Sequence, residues 1–200
     1  YVVLEVGLGG RFDSTNVINN SIASVITTLD YDHTEILGNT LAKIAYEKAG
    51  IIKKNGIVVS YPQEEEALEV LKEVSMKMNA NLYLDPIENI VVKEKTEFGS
   101  TFDFSFNEEI LKDVKISMLG GYQVYNASLA ITTLLILREK GLIDISNEEI
   151  YKGLFDTRWK GRLEVLRRKP TFLIDGAHNL QGIIHLAKTI KLFKYNKLIL

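Results

Sequence analysis

The sequence predicts an α/β protein in which a parallel sheet is combined with an antiparallel patch. Apolar, β-branched runs typical of buried strands alternate with segments whose apolar residues recur at helical spacing. The strand-like runs are residues 1–7, 21–29 and 56–61, and the helical segments are residues 40–49 and 64–78. Strands that alternate with helices favour a parallel sheet. Residues 87–117 instead contain short strand-like runs without helices between them, which indicates antiparallel pairing.

The two helical segments of the first half have recognisable ends. Asn39 or Thr40 is the expected N-cap of the first helix, and Gly50 is expected to follow its last turn as the C′ residue. The second helix begins with acidic residues, whose charge stabilises the N-terminal end of a helix dipole.

The second half of the chain continues with helices before strands return. Residues 123–141 predict a long apolar helix that ends at Gly141, and residues 146–155 predict a short helix with a Ser or Asn cap. "LEVLRR" and "TFLID" then predict strands, followed by a helix that starts at "NLQG". The final "NKLIL" is also typical of a strand.

A domain boundary is predicted near Gly161–Arg162, where the alternation of strands and helices resumes. It divides the chain into a first domain, residues 1–161, and a second domain, residues 162–200. Because the chain starts at Tyr1 within one strand-like run and ends within another, we expect it to be a piece of a longer protein.

The composition indicates a soluble globular protein of a reducing compartment. Of the 200 residues, 46% are hydrophobic and 25% are charged, and the net charge of −2 favours neither nucleic acid nor an anionic membrane as a partner. The sequence has no cysteine, which excludes disulfides and cysteine-bound metals and makes the cytoplasm the expected location. Neither a membrane-spanning run nor a signal peptide is predicted.

A carboxylate and three glycines lie at the end of the first predicted strand. Glu5 lies near the carboxyl end of that strand, and Gly7, Gly9 and Gly10 come directly after it. Ligands bind at the carboxyl ends of strands in parallel sheets, and glycines let backbone amides approach an anion. The segment is not a P-loop, because no Gly-Lys-Ser/Thr follows. The alternative is a tight turn beside a buried, hydrogen-bonded Glu5.

A second polar group, "LDYDHTE", follows the next predicted strand. It places Asp30, Asp32, His33 and Glu35 in one loop. Carboxylates with one imidazole suit a hard divalent ion such as Mg²⁺ or Mn²⁺. A solvated acidic loop is the alternative interpretation.

Lys48 falls on the apolar stripe of the first predicted helix. At about 100° per residue, Lys48 lies roughly 340° from Leu41, on the face that also contains Ile44 and Ala45. A buried, unpaired ammonium is costly. Lys48 therefore extends past the stripe to solvent, pairs with a carboxylate, or has its charge chemically altered.

Three further groups combine polar side chains with helix or strand ends. Gln123 and Asn126 begin an apolar helix, where they cap the helix or contact a nucleotide. Arg162 lies at the predicted domain boundary and could bind phosphate or form a surface ion pair. Asp175 ends a strand and is followed by "GAHN", again at the ligand-facing edge of a sheet.

Together, "EVGLGGRFDSTN", "DHTEILGNTLAKIAYEKAGIIK", "GGYQVYNA", "WKGRLE" and "DGAHN" closely resemble the folylpolyglutamate synthase/dihydrofolate synthase family, a branch of the Mur ligase superfamily. The resemblance extends from the first residues to about residue 182, and the second of these blocks is its most specific part. It implies a P-loop-type ATPase central domain, truncated at its N-terminus and containing the antiparallel patch, followed by the start of a Rossmann-like C-terminal domain.

The resemblance implies an enzyme that uses ATP to join L-glutamate to a folate or dihydropteroate carboxylate through an acyl phosphate. Two Mg²⁺ ions neutralise the phosphates in this chemistry. By motif, Glu5 and His33 are implied as Mg²⁺ ligands. Lys48 matches a catalytic lysine that CO₂ carbamylates, and the carbamate holds the second metal.

The same resemblance implies residues that bind the three substrates. Arg162 would contact a phosphate of ATP and stabilise the charge in transfer. His178 would line the glutamate side of the cleft as a catalytic residue. The implied ATP contacts are Asn126, Arg162 and Asp175, and the implied pterin contacts are Phe12, Asp13 and Ser14.

Two departures from the family pattern affect these expectations. Tyr122 stands where the family often has histidine, and the family's Gly-Lys-Ser loop is absent from this sequence. We therefore expect the 200-residue chain alone neither to bind ATP tightly nor to turn over; we also expect a monomer that binds no nucleic acid. A cell-wall Mur ligase and a non-catalytic nucleotide-binding scaffold are the alternatives.

Overall fold

The computed structural model describes residues 1–178 and 180–200, and these residues form two compact units. The first unit consists of Tyr1–Ile87 and Thr132–Ile143. The second consists of Glu88–Ile131 and Asp144–Leu200.

A three-stranded parallel sheet forms the centre of the first unit and confirms the predicted fold class. Its strands are β1 (Ala23–Ile26), β2 (Ile57–Ser60) and β3 (Asn81–Leu84), in the order β1-β2-β3. The middle strand, β2, is buried along its whole length, as expected of an apolar parallel strand covered on both faces.

Three helices lie between these strands in the chain. They are α1 (Thr34–Leu37), α2 (Leu41–Ala49) and α3 (Glu65–Lys77). Thr40 caps α2, since its hydroxyl accepts a hydrogen bond from the Lys43 N–H at 3.2 Å. The expectation that Gly50 lies beyond the helix as C′ is wrong, because Gly50 is the C-cap itself and is right-handed, with φ −61°.

The core of the first unit lies where α2 and α3 cover the sheet. Small and branched side chains interdigitate there, which lets the two helices approach closely. The buried members of this cluster are Ile26, Leu29, Leu41, Ala45, Ala49, Ile52, Val58, Ala67 and Leu71.

The predicted strand at residues 1–7 is wrong. Residues 1–6 form no regular element, and the side chains of Val2 and Val3 are 81% and 97% exposed. A strand requires a hydrogen-bonding neighbour, and no strand among the described residues pairs with this segment. β3 and α1 are each only four residues long and were not predicted from the sequence.

The second unit begins with the predicted antiparallel patch, which is confirmed. Its strands are β4 (Ile90–Thr96), β5 (Gly99–Phe106) and β6 (Glu109–Ile116). Phe102 and Phe104 of β5 are fully buried, as the alternating pattern of "TFDFSF" requires.

Three charged residues lie where this sheet departs from regular pairing. The register shifts at Lys93 in β4 and at Asp103 in β5. Lys93 Nζ lies 2.6 Å from Oδ1 of Asp103 and 2.8 Å from Oδ1 of Asp113, a β6 residue with φ +54°. Hydrogen bonds from Lys93 and from the Asp113 N–H lower the pKa of Asp103. We call these three residues the bulge triad.

The long apolar helix is α4 (Tyr122–Glu139), and its residues divide between the units at Ile131 and Thr132. Gly141 lies two residues beyond the last helical residue and has φ +67°, in agreement with its predicted role in ending the helix. Among the residues that the structure describes, no helix has both the length and the apolarity needed to cross a bilayer.

The rest of the second unit is a helix, a hairpin and a last helix. The elements are α5 (Asn147–Asp156), β7 (Glu164–Arg168), β8 (Thr171–Ile174) and α6 (Leu180–Ile190). A capping box between Ser146 and Glu149 begins α5. β7 and β8 pair as an antiparallel hairpin, so the parallel alternation does not resume there.

The prediction of a strand at "NKLIL" is wrong as well. Residues 196–200 form no strand, and the side chains of Ile199 and Leu200 are 79% and 99% exposed. As for residues 1–6, none of the described strands offers this segment a partner.

Replacing Thr132 by valine tests the buried polar contact of the first unit. The Thr132 hydroxyl donates to Oδ1 of Asp85 at 2.6 Å, and both residues are buried. Because Thr132→Val removes a hydrogen bond to a buried carboxylate, the free energy of unfolding should fall by about 1–3 kcal/mol. Urea denaturation of this chain measures the change, and Thr28→Val at an exposed threonine is the matched control. An unchanged unfolding free energy in Thr132→Val would contradict this role.

Candidate functional site

The segment after residue 6 folds into a compact loop around the Asp13 carboxylate. Oδ2 of Asp13 accepts hydrogen bonds from the N–H groups of Gly7 (3.1 Å) and Leu8 (3.0 Å). Its Oδ1 accepts from the N–H (2.9 Å) and the hydroxyl (2.6 Å) of Thr15. These hydrogen bonds lower the pKa of Asp13 from 3.8 to about 2, and the bond from the Thr15 hydroxyl has the largest effect. Asp13 is therefore ionised at neutral pH and organises the loop.

Phe12 and Ser14, the residues on either side of Asp13, lie on the surface. The Phe12 side chain is 83% exposed, although aromatic side chains are usually largely buried. Ser14 is the first residue of a 3₁₀ turn, Ser14–Val17, and is also exposed. The Phe12 ring is thus accessible to a ligand.

This loop lies directly against the C-terminal end of α2. The Arg11 N–H donates to the carbonyl oxygen of Glu47 at 2.8 Å. A Cβ added at Gly10 would lie 2.8 Å from that oxygen and 3.0 Å from the carbonyl oxygen of Lys48, so only glycine permits this approach. The backbone of the loop therefore contacts the turn of helix that contains Lys48.

Gly50 and Asn16 extend this contact beyond the helix. The Asn16 side-chain amide donates to the carbonyl oxygens of Gly50 (3.0 Å) and Arg11 (3.1 Å), and the Lys53 ammonium donates to Oδ1 of Asn16 at 2.6 Å. A Cβ at residue 50 would overlap Arg11. Glycine is required at position 50 for space, and not for the left-handed conformation of a C′ residue.

Lys48 is half-buried beside the apolar face of α2. That face consists of Leu41, Ile44, Ala45 and Ala49, which confirms three of the stripe positions. Lys48 falls between Ile44 and Leu41 around this helix, as predicted, but it is only partly buried. A lysine in such a position can keep its stem on the apolar face and extend its ammonium to a ligand or solvent.

His33 has a strained backbone. Its φ of 49° and ψ of 39° are left-handed, and it is the N-cap residue of α1. The His33 N–H donates to Oδ1 of Asp32 at 2.9 Å, and its imidazole is exposed. Left-handed non-glycine residues are enriched at functional sites.

The three implied metal ligands are not joined to one another. In the described ranges, no hydrogen bond or ion pair links Glu5, His33 and Lys48, and no group of three or more His, Asp or Glu side chains is arranged to hold a metal. Glu5 is exposed, so its alternative role as a buried, hydrogen-bonded residue is wrong. The metal assignment stays a prediction.

The remaining predicted site residues belong to the second unit. Asn126 is exposed near the start of α4, and its side-chain amide donates to Oε1 of Gln123 at 3.0 Å. Gln123 is buried, so it fixes the orientation of Asn126.

Asp175 joins two loops at the open end of the β7–β8 hairpin. Its Oδ2 accepts from the Leu163 N–H and its Oδ1 from the Ala177 N–H, each at 2.8 Å. The Gly176 N–H donates to the carbonyl oxygen of Gly161 at 2.7 Å. Leu163 is buried and left-handed, with φ +48°. Asp175 therefore compensates for an unfavourable backbone.

Arg162 and His178 belong to these two loops, and Tyr122 interacts electrostatically with Asp175 and Arg162. Burial raises the pKa of the Tyr122 phenol, the negative charge of Asp175 adds to this, and the charge of Arg162 opposes it. Arg162 and His178 are exposed, and Nδ1 of His178 lies 2.8 Å from the carbonyl oxygen of Gly176. Because a carbonyl only accepts, a neutral His178 has its proton on Nδ1. Asn179, the last residue of "DGAHN", lies outside the described residues.

The structure adds three features that the sequence analysis missed. They are the contacts of Arg11 with α2, the left-handed conformation of Leu163, and the ring contact of Tyr122 with His185, whose centroids are 4.9 Å apart. None has a signal in the sequence, because each depends on residues that are distant along the chain.

The pH dependence of stability tests the role of Asp13. Since its folded-state pKa is lowered to about 2, its stabilising effect is complete above the ordinary pKa of 3.8 and is lost as the pH falls toward 2. We expect Asp13→Asn to lower the thermal midpoint at pH 5 to 7, and this difference from the wild type to shrink steadily below pH 4. Circular dichroism melts across this range measure it.

Glu69→Gln is the control, because Glu69 is exposed on α3 and should show no such convergence. Equal midpoints for the wild type and Asp13→Asn at neutral pH would show that the four hydrogen bonds do not stabilise the loop.

Comparison with known sequences shows relatives along nearly the whole chain. The Mur ligase middle domain matches residues 1–134. A Bacillus subtilis protein named dihydrofolate synthase/folylpolyglutamate synthase is 38% identical over 197 residues, which are 96% of this chain and 44% of the relative. The folylpolyglutamate synthase of Lacticaseibacillus casei is 33% identical, with 94% of this chain and 44% of the relative covered. The chain spans less than half the length of these curated relatives.

Solved structures of similar proteins also match nearly the whole chain. The apo form of L. casei folylpolyglutamate synthase matches 96% of this chain and 47% of its own, with a TM-score of 0.88 and 32% identity. The Mycobacterium tuberculosis folylpolyglutamate synthase complexed with ADP has a TM-score of 0.79 and 32% identity, and the match covers 93% of this chain and 42% of that one. Because the Mur ligase middle domain matches two thirds of its residues, the chain belongs to the Mur ligase family, and residues 135–200 follow the matched part.

Proposed function

We propose that this chain is part of an ATP-dependent ligase that adds L-glutamate to the carboxylate of folate or dihydropteroate. The observation that carries the proposal is the 38% identity to the B. subtilis dihydrofolate synthase/folylpolyglutamate synthase along 96% of this chain. A similar folylpolyglutamate synthase has been solved in complex with AMPPCP and folate, with a TM-score of 0.85, 32% identity, and 96% of this chain and 47% of that one covered.

The proposed reaction has two steps. The terminal phosphoryl group of ATP passes to the acceptor carboxylate, giving an acyl phosphate and ADP. The amine of glutamate then attacks the carbonyl carbon, the bond to the phosphate oxygen breaks, and the amine loses a proton. Arg162 is exposed, and the planar fork of its guanidinium suits the phosphate in transfer.

Glu5, His33 and Lys48 are proposed to hold magnesium. Bound Mg²⁺ would neutralise phosphate charge, and the donor set of one carboxylate, one imidazole and one carbamate has the hard oxygen and nitrogen ligands that it accepts. Glu5 and Lys48 support the fit, because neither forms an ion pair within the described part of the chain. The lysine Nζ is therefore free for modification.

Carbamylation of Lys48 would form a bond between its neutral amine and the carbon of CO₂, with loss of one proton. The product is an anion, so the half-buried position would hold a metal ligand in place of an ammonium.

The remaining roles follow the same proposal. Phe12 and Ser14 contact the pterin of the acceptor, and Asp13 holds the loop that presents them. Asn126, Arg162 and Asp175 bind ATP, and His178 lies toward glutamate. The domain boundary at Gly161–Arg162 is part of this proposal and is supported by the start of the β7–β8 hairpin at Glu164.

The protein is proposed to act as a cytoplasmic monomer without a nucleic-acid partner. The net charge of −2 supports the absence of a nucleic-acid partner, and the cysteine-free composition is typical of a reducing compartment.

A ligation assay tests the proposed function. The protein expressed from the complete reading frame that contains these 200 residues is incubated with radiolabelled glutamate and MgATP. We expect labelled product with dihydropteroate or tetrahydrofolate, released in step with phosphate, and none when ATP is omitted. Product with a UDP-muramoyl acceptor alone would instead support the cell-wall alternative. No ligation with any acceptor would overturn the proposal.

Substitution of Lys48 tests the carbamate. Lys48→Arg keeps a positive charge and cannot form the carbamate, so kcat should fall about 100- to 1,000-fold, the usual effect of losing a group that stabilises transition-state charge. Wild-type activity should fall in CO₂-depleted buffer and return with bicarbonate, and mass spectrometry after chemical trapping should find the added carboxyl group on Lys48.

Lys43→Arg is the matched control, since Lys43 is an exposed residue of the same helix. Wild-type kcat in Lys48→Arg, or activity that does not respond to bicarbonate, would exclude a carbamate at this position.

A further inference from the structure

Arg11 lies at the centre of a cluster that joins the Asp13 loop to α2. Its guanidinium carbon lies 4.3 Å from the centroid of the Phe12 ring and 5.1 Å from that of the Tyr46 ring. Nη2 of Arg11 lies 2.9 Å from Oε1 of Glu47. We call Arg11, Phe12, Tyr46 and Glu47 the Arg11 cluster.

The ion pair alone does not account for this arrangement. The Arg11 and Glu47 side chains are 40% and 22% exposed, and ion pairs this close to solvent stabilise a fold only slightly. Arginine, unlike lysine, has a planar guanidinium that can lie on aromatic rings while its nitrogens bind a carboxylate. Arg11 uses both properties, because its planar face contacts two aromatic rings and one of its nitrogens binds the Glu47 carboxylate.

The other members of the cluster keep Arg11 in place. Tyr46 and Glu47 belong to α2, a helix anchored by the core of the first unit. The Arg11 backbone is also held, because its N–H donates to Glu47 and its Cβ lies against Gly50. Arg11 is therefore held both at its backbone and at its guanidinium.

The orientation of the exposed Phe12 ring depends on its contact with the Arg11 guanidinium. Its side chain is 83% exposed, and the Arg11 guanidinium covers one face of its ring. A flat cation held on one face restricts the ring and leaves the opposite face for a ligand. An exposed ring without this contact would rotate between rotamers and lose that freedom on binding, which weakens affinity.

We propose that Arg11 is a positioning residue, which orients Phe12 so that its free face stacks on the planar heteroaromatic ring of the acceptor. The inference rests on the proposed function and adds to it a residue that sets acceptor affinity without touching the acceptor. Arg11 acts through Phe12, so its effect falls on the KM for the acceptor, and the KM values for ATP and glutamate stay unchanged.

Arg11→Lys is the informative variant, because it keeps the charge and the ion pair with Glu47 and removes the planar surface under Phe12. In the ligation assay with the complete protein, the acceptor KM should rise about two- to tenfold, the effect of one side chain that must be ordered on binding. The kcat should stay within twofold. Lys72→Arg, an exposed lysine of α3, is the control for a charge-conserving change.

A double-mutant cycle with Phe12→Leu separates this role from a structural one. If Arg11 acts through Phe12, Arg11→Lys should change the acceptor KM in the wild-type background and have no further effect in Phe12→Leu. Glu47→Gln should raise the acceptor KM less than Arg11→Lys, because both ring contacts remain. Thermal midpoints of all variants report whether the loop stays folded.

Three outcomes overturn the inference alone: an unchanged acceptor KM in Arg11→Lys, effects of Arg11→Lys and Phe12→Leu that add fully, or an equal rise in KM for all three substrates. Each requires that the wild type ligates glutamate. A wild type without ligase activity overturns the proposed function and this inference together.

Discussion

The contact between the Asp13 loop and the last turn of α2 is the constraint on which the candidate site of the first unit depends. The carbonyl groups in the last turn of a helix lack the regular donors of its interior, and the Arg11 N–H gives the Glu47 carbonyl a donor from outside the helix. Gly10 makes this possible, since no larger residue fits against the two carbonyls there. The position of the loop and the position of Lys48 are consequently not independent, because one short stretch of helix determines both.

Carboxylates organise the candidate loops of both units in the same way. Asp13 accepts backbone N–H groups from its own loop, and Asp175 accepts those of two separate loops. Both were predicted to bind ligands, Asp13 from the family resemblance and Asp175 also because it ends a strand-like run. Their oxygens accept hydrogen bonds from the protein itself, whereas the side chains of Phe12 and Arg162 are exposed.

Elements of the fold that are determined by nearby residues were predictable from the sequence, and elements that depend on tertiary contacts were not. α2 and the antiparallel patch were predictable, because their periodicity and the Thr40 cap are encoded within a few residues. The prediction of a strand at residues 1–7 was wrong, because a strand also needs a neighbouring strand, which a local sequence pattern cannot reveal. The left-handed conformations of His33 and Leu163 and the position of Arg11 depend on tertiary contacts, which leave no periodic trace.

The bulge triad limits how the antiparallel sheet of the second unit can change over evolution. Lys93 is the cation between two carboxylates, and both lie within hydrogen-bonding distance of it. Losing Lys93 alone leaves Asp103 and Asp113 as close like charges, whereas losing either aspartate leaves the other pair intact. The order of substitution therefore matters. A route to an uncharged sheet that removes an aspartate first avoids the repulsive intermediate, and a route that begins at Lys93 must pass through it.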